Sequence, residues 1–346
     1  MKKMIRHLLV VTAIASSLGV YAQDPHFNQY YTFASQLNPA LVGNYNGSYR
    51  LAVLYRNQWG AALSKSAYET VGADVDFSFL EGYLRRSKLA VGVGFFNDRS
   101  GQAGLSYLNA SLSLAYHQGF GKDGNHRLSL GLQGAYVQKR LDNPLFGDQH
   151  ETDYSVRPVS AEDFTSGIHN WDFNFGLYWK SNFRDRVKFG LGMGAFHLIE
   201  PKEKFVRNGL AGNLYRKFSI DFNLEAFFGK KRNISLSPEL LVMLQGPARE
   251  ITPGVFVGYY FQTGFRKNNS IHVGLRYRVN NTIGDAVIPM AMVEFRNVRL
   301  GFGYDVNVSS LSNSTKNRGA FEISLSYVGE SIKYFKGSKS LPSRRF

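Results

Sequence analysis

Between Ser48 and Gly329 the chain repeats one pattern: segments of about ten residues in which large apolar side chains alternate with Gly, Ser, Asn or charged ones. One copy sets Leu108, Ala110, Leu112, Leu114 and Tyr116 against Asn109, Ser111, Ser113, Ala115 and His117. The next sets Leu128, Leu130, Leu132, Gly134 and Tyr136 against Ser129, Gly131, Gln133, Ala135 and Val137. Side chains on a strand point to opposite faces with period two, so each segment offers one greasy face and one small or polar face. Counting such segments from Ser48–Asn57 to Gly319–Val328 predicts about fourteen strands, an even number of the kind that closes a membrane barrel.

A soluble sandwich could also show this alternation; an export signal, the many Tyr and Phe near strand ends and the alternation of loop lengths decide for a membrane barrel. Tyr49, Leu51, Val53 and Tyr55 share a face, as do Phe218, Ile220, Phe222 and Leu224, and Leu300, Phe302, Tyr304, Val306 and Val308. Their alternates include Arg50, Arg56, Asp221, Glu225 and Asp305. A charge facing hydrocarbon at mid-depth costs about 2–4 kcal/mol, so these alternates must face a lumen or a protein partner. The connections carry a second signal. With periplasmic ends, the outward loops would be residues 58–66, 98–104, 140–170, 199–213, 245–252, 280–286 and 309–318. These are longer almost throughout than the turns between them. The fold class expected is all-β: a single-domain transmembrane antiparallel β-barrel.

The ends of the chain fit an exported protein. Lys2, Lys3 and Arg6 precede an apolar run from Leu8 to Leu18 and a small-residue site ending at Ala22, which predicts a secretory signal peptide over residues 1–22. That run is too short to span a bilayer, and no later stretch is long enough for a transmembrane helix. Residues 23–47 have neither helical nor strand period, and are expected to form a periplasmic segment outside the wall. Residues 48–329 form the barrel, and residues 330–346 a basic periplasmic tail. The formal net charge is +15. An exported basic chain meets anionic lipid or acidic protein surfaces, so nucleic acid is not expected as a partner. There is no cysteine, which excludes both a disulfide framework and a lipid anchor on Cys.

Catalytic and cofactor motifs are weak. Gly190, Gly192 and Gly194 are spaced by two, which suits a strand face packed closely from inside rather than a phosphate-binding turn. No GxSxG elbow and no HExxH helix occurs. Asp148, His150, Glu151 and Asp153 lie in the longest outward loop without the spacing of a metal site. His117, on a polar strand face, reads as a hydrogen-bonding lumen residue. No enzyme activity, catalytic residue, metal or cofactor is expected.

Several segments resemble one known family. They are QDPHFNQYYTFASQLNPALVG at Gln23 to Gly43, YRNQW at Tyr55 to Trp59, LNASLSLAYH at Leu108 to His117, LSLGLQGAYVQKRLD at Leu128 to Asp142, and FGDQ at Phe146 to Gln149. Together they resemble the PorP/SprF family, outer-membrane proteins of the type IX secretion and gliding-motility machinery of the Bacteroidetes. The tail ending Pro342 to Phe346 is similar to the family's basic, aromatic-ended terminus, although the Cys often found near it is absent here. The resemblance implies a non-enzymatic integral barrel of the outer membrane. Such a barrel supports export or surface anchoring of large adhesins, cargo with C-terminal sorting domains. The partners implied are outer-membrane lipids, periplasmic ring lipoproteins, a peptidoglycan-binding protein and the adhesin or its sorting domain. The motif positions it offers as partner-binding residues are Asn38, Pro39, Arg56, Asn57, Gln58, Trp59, Asp74 and Gln149. Each has a structural alternative: Asn38-Pro39 as a turn, Trp59 in an interfacial girdle, Arg56 paired with Asp74 in the lumen. The competing function is a transporter or porin for a small or lipophilic solute.

Overall fold

The computed structural model describes residues 24–60, 67–80, 86–101, 104–121, 124–141, 167–183, 186–204, 212–261, 269–281, 283–310 and 312–329. Fourteen antiparallel strands close on themselves. They are β1 (Tyr49–Gln58), β2 (Tyr68–Phe79), β3 (Ser87–Ser100), β4 (Leu105–Phe120), β5 (His126–Leu141), β6 (Ile168–Phe183), β7 (Val187–Phe196), β10 (Lys217–Phe228), β11 (Ile234–Gln245), β12 (Ala248–Tyr260), β13 (Ser270–Asn280), β14 (Ile283–Phe295), β15 (Val298–Asn307) and β16 (Arg318–Gly329). A two-stranded ribbon, β8 (Lys202–Glu203) with β9 (Gly212–Asn213), stands apart in the connection after β7. Each barrel strand pairs with its neighbours in sequence, and β1 seals the cylinder against β16 from Tyr49 opposite Gly329 to Gln58 opposite Ala320. Closure leaves no edge strand, the condition for a sheet to sit in hydrocarbon.

The faces fall as the alternation predicts. On β4, Leu112 and Leu114 are exposed on the outer wall while Ser111, Ser113 and His117 are buried inside. On β10, Phe218 and Ile220 face out, with Ser219, Asp221 and Glu225 inside. Aromatic side chains gather toward both ends of the outer wall. Tyr49 lies 5.9 Å from Tyr327 and 6.3 Å from Phe77 at one end, and Tyr55 lies 5.7 Å from Phe321 at the other. Such amphipathic rings settle at headgroup level.

Two expectations are corrected. The loop between β11 and β12 is not residues 245–252 but only residues 246–247, and that between β13 and β14 is residues 281–282. Gly246 and Asn281 adopt left-handed backbone (φ 56 and 53), which lets the strands run on into two-residue hairpins. The length difference between the ends therefore rests on the connections after β1, β5, β7 and β15. The end bearing these is the long-loop end, and the other is the short-turn end.

The second correction concerns residues 23–47. The described part, 24–47, does not lie outside the barrel in the periplasm. It threads the lumen from the long-loop end at Asp24 to the short-turn end at Gly47, where it joins β1. It includes a single helical turn, α1 (Ala34–Leu37), and a 3₁₀ turn over Pro39–Leu41. Phe27, Phe33, Ala34, Leu37, Ala40 and Leu41 are buried against the inner wall. The physical reason is that the segment is rich in aromatics and amides, and the lumen supplies both apolar patches and the polar partners that its irregular backbone needs.

Candidate functional site in the barrel lumen

Three polar clusters hold the plug. At the long-loop end, the Asp24 carboxylate meets His197 Nε2 at 2.8 Å and Lys217 Nζ at 2.7 Å, and its backbone N–H donates to Gln245 Oε1 at 3.0 Å. The other ring nitrogen of His197 lies 2.8 Å from Asp172. Burial alone would raise the Asp24 carboxyl, but Lys217 and His197 outweigh it and hold it well below the ordinary carboxylate range. Burial likewise opposes protonation of His197, yet the carboxylates of Asp24 and Asp172 raise it to about 9. Asp24 is therefore an anion clamped between two cations.

The second cluster is built around Arg56 of β1. Its guanidinium reaches Asp305 on β15 at 3.1 Å and Glu322 on β16 at 3.2 Å, all three buried. Arg278 of β13 joins Asp305 at 2.7 Å and Asp285 at 2.6 Å. The plug enters here through backbone and amide groups. The N–H groups of Asn28 and Gln29 donate to Glu322 at 2.9 and 2.6 Å, and the Asn28 amide donates to Asp305 and accepts from Arg278. The strand ladders shift register at Arg278/Val279 and between Tyr304 and Val306, which brackets Asp305. Bulges at these points re-aim charged side chains toward one centre. Alongside, Arg276 pairs with Glu239 at 2.6 Å, donates to the Asn28 carbonyl, and lies 4.2 Å over the Tyr30 ring.

The third cluster lies between mid-barrel and the short-turn end. Ser35 donates to Asp74 from its N–H (3.1 Å) and its hydroxyl (2.7 Å). Gly43 N–H donates to Asp76 at 2.8 Å, and Asp76 is gripped by Arg50 at 2.9 and 3.1 Å. His117 bridges Ser129 at 2.7 Å and the Val42 carbonyl at 2.8 Å, the hydrogen-bonding role expected of it. A buried ion pair is a weak source of net stability, but removing one member is costly, so these clusters fix the plug's position more than they add to its affinity.

The wall is also shaped for the plug. A side chain at Gly131 would strike the backbone of Pro39 and Ala40, and one at Gly176 the Asn38 side chain and the Ala40 nitrogen. Of the Gly190, Gly192 and Gly194 string, a side chain at Gly190 would meet Tyr178 and Asn223 of the wall, one at Gly192 would meet Asp221 and then Asn38, and one at Gly194 the Leu37 carbonyl and Ser219. The string is packed closely from inside, as its spacing predicts, with the plug against Gly192 and Gly194.

The motif residues now have places. Asn38 and Pro39 sit in the plug: the Asn38 side chain accepts from Ala40 N–H and donates to the Leu177 carbonyl, both at 2.9 Å, and Pro39 opens the 3₁₀ turn. Asn38-Pro39 is thus a turn, but a buried one. Arg56 does not pair with Asp74. The β1–β2 register sets Arg56 opposite Thr70 and Asp74 opposite Ala52, and on the other side sets Arg56 opposite Glu322. Gln58 accepts from Arg56 at 3.4 Å. Asn57 faces out and donates to Glu69 at 3.2 Å. Trp59 leaves β1 in left-handed backbone and packs edge-on against Tyr68, ring centroids 5.3 Å apart. Gln149 and the Asp148, His150, Glu151, Asp153 group lie outside the described residues. Arg56 and Gln58 line a cavity of about 280 Å³ above the plug, with His26, Tyr107, Lys139 and Glu203. Asp24, His197, Arg276 and Glu322 escaped sequence reasoning as site residues. Their only signal was a charge on a polar strand face, or a charge at the start of an unpatterned segment.

A family model described as type IX secretion system membrane protein PorP/SprF matches residues 19–327. The chain belongs to this family. As a PorP/SprF barrel it is an integral outer-membrane protein and a component of type IX secretion. No curated protein matches it. Among solved structures it is similar to a TodX monoaromatic hydrocarbon channel deltaS2 mutant, at 8% identity and TM-score 0.50, over 84% of this chain and 92% of that one. It is also similar to the Pseudomonas putida toluene transporter TodX (8%, TM-score 0.46, 89% and 95% covered). A third likeness is to BamA from Haemophilus ducreyi lacking POTRA domains 1-3 (10%, TM-score 0.43, 82% and 70% covered). At such identities the likeness concerns the fold alone.

Proposed function

We propose that this PorP/SprF protein is a non-enzymatic, plugged anchor in the outer membrane. It holds or helps export large adhesins with C-terminal sorting domains at the long-loop face. At the short-turn face it engages periplasmic ring lipoproteins and a peptidoglycan-binding protein. One observation carries this reading: residues 24–47 of the same chain run the length of the lumen and are tied to the wall by buried ion pairs and hydrogen bonds at three levels. A pore for free solute flow needs an open path, whereas an anchor needs a rigid cylinder with two differentiated faces. The described residues contain no group of His, Asp and Glu able to hold a metal ion.

The test is cross-linking in living cells followed by recovery of the barrel. Secretion-ring proteins or a large adhesin as cross-linked neighbours support the reading, as does loss of surface adhesin when the gene is deleted. Solute uptake by the purified intact barrel, with neither neighbours nor an export defect, would favour a transporter instead.

A further inference from the structure

Closure hides a strand edge only where both neighbours run to the same height, and β6 outruns β7 at the long-loop end. β6 pairs with β5 from Ile168 onward, but its ladder with β7 starts only at Phe175 opposite Ala195. β7 stops there because the chain bends inward at His197 (φ 58), which carries that side chain to Asp24 and Asp172 in the lumen. One more bond, from the Leu198 N–H to the Phe173 carbonyl, follows the bend. Beyond it, residues 168–172 have no backbone partner on the β7 side among the described residues. The β8–β9 ribbon touches this stretch from the lumen through a side chain, the Asn170 amide donating to the Lys202 carbonyl at 3.1 Å.

Backbone groups along a strand alternate sides, so the residues in step with Phe173, which are Trp171 and His169, turn their N–H and C=O groups into the notch above β7. Asn170 and Asp172 turn theirs toward β5. The height of this edge follows from the register. A row of paired residues starts at Tyr49, at the short-turn end of β1, and reaches Leu244 and Arg249, which flank the long-loop hairpin at residues 246–247. Rows therefore climb toward the long-loop end, and with strands tilted about 40° and about 4.8 Å apart each step rises about 3 Å. The row from Tyr55 runs through Val71, Asn97, Leu108 and Gln138 to His169. Trp171, two residues below His169, thus stands about 10 Å beyond the aromatic belt at Tyr55, clear of the acyl chains. It is 68% exposed, with its ring 5.6 Å from that of Tyr136 and with exposed Phe173 on the same outer face.

We infer that the free edge of β6 is a docking site that takes an added β-strand from the sorting domain of the exported adhesin. The inference rests on the anchor reading above and says how the cargo is gripped. The N–H and C=O groups of His169 and Trp171 stand at strand spacing, and another extended backbone matches all of them at once. Trp171 and Phe173 give the outer side of the edge an apolar face, so the incoming strand carries large apolar side chains at alternate positions. A second copy does not fit edge to edge. Two barrels upright in one membrane would cross their β6 strands at about 80°, twice the strand tilt, and no ladder forms at that angle.

The experiment uses the full chain in lipid nanodiscs and the purified C-terminal sorting domain of a large adhesin from the same cells. His169→Pro/Trp171→Pro removes both edge donors and leaves the β5–β6 ladder whole, so it should assemble like the parent yet bind the domain about tenfold more weakly. Trp171→Val keeps the backbone donor and should lose less. Asn170→Pro takes a donor from the β5 ladder instead, and should lower the heat stability of the barrel. If the double variant does not assemble, Trp171→Pro alone carries the comparison. The amides of His169 and Trp171 should also exchange quickly in the chain alone and slowly once the domain is bound. Unchanged exchange at these two amides, or equal binding by the parent and an assembled edge variant, overturns the docking site and leaves the anchor reading standing. Slowing of the same amides as the chain's own concentration rises, without the domain, assigns the edge to a second copy and overturns it as well. Failure of the parent to bind the domain overturns the docking site whatever the export phenotype, whereas normal adhesin display after deletion of the gene overturns the anchor reading.

Discussion

Leu112 and Ser113 are neighbours on β4, yet one is 55% exposed on the outer wall and the other fully buried inside. The outer wall asks only for a class of residue. Leu, Val, Ile and Phe succeed one another there without specific partners, because hydrocarbon contact is non-directional. The inner wall asks for particular residues. Arg56, Asp305, Glu322 and Arg278 each have named partners, and a glycine at 131 or 176 is what lets the plug backbone approach. One surface is set by solvent, the other by a second surface belonging to the same chain. The outer wall should therefore tolerate exchange among apolar residues, and the inner wall almost none.

The strongest way to break this contrast is to remove the inner surface's partner. Deleting residues 24–47 should leave a barrel that still migrates in heat-modifiable form, because the strand ladder is independent of the plug. Planar-bilayer recordings should then show ion conductance that the intact chain lacks. Equal conductance by both would mean that the plug does not obstruct the lumen. Next in size is Arg56→Ala, which takes from Glu322 the cation it pairs with and leaves Asp305 to Arg278. Breaking a buried pair in this way costs about 3–5 kcal/mol, read as a lower urea midpoint for the folded barrel, and Arg56→Lys should recover part of it.

A change on the outer wall sharpens the contrast from the other side. Leu112→Arg places a cation against acyl chains and should cost about 2–4 kcal/mol, seen as failed assembly in bilayers. An open lumen would let Ser113→Arg pass with little effect. The plug alters that expectation: Ser113 accepts a hydrogen bond from Gln133 at 2.9 Å in a filled interior, so the variant should assemble but displace the plug. Protease sensitivity of the N-terminal segment, with heat-modifiability retained, is the readout. Identical behaviour of the two variants would mean that the faces are misassigned.

The smallest effect expected is that of pH on the Asp24 latch. Asp24 is depressed on folding, so its contribution is present above its unfolded value of 3.8 and fades as pH falls through the lower folded value. His197 is raised, so its contribution is complete below its unfolded value of 6.5 and is lost as pH rises through about 9. Hydrogen exchange at the start of the plug should be slowest between these limits and quicken above pH 9. Asp24→Asn should abolish that alkaline step.

The candidate site was far less legible than the wall. The Gly190, Gly192, Gly194 string announced close packing, and His117 a hydrogen bond, but neither said against what. Residues 24–47 carry no period because they form almost no regular structure: one helical turn and one 3₁₀ turn. Without a period, no alternation could point them inward. Asn38 and Pro39 read as a turn and are one, yet their burial depends on Gly131, Gly176 and Gly192, contributed by β5, β6 and β7.

What the chain's sequence settles alone is local and two-sided: which residues form strands, and which side of each strand meets lipid. Period two is a property of the backbone, and transfer to hydrocarbon separates apolar from charged side chains by several kcal/mol, so no tertiary information is needed. Tertiary structure alone decides partners. On β2 Asp74 lies four residues from Thr70, the partner of Arg56, whereas barrel closure sets Glu322 of β16 directly opposite Arg56, and the fit of an unpatterned segment depends on surfaces that exist only once fourteen strands have closed. Pairing energies between charges fall steeply with distance, and distance is what the closed cylinder sets.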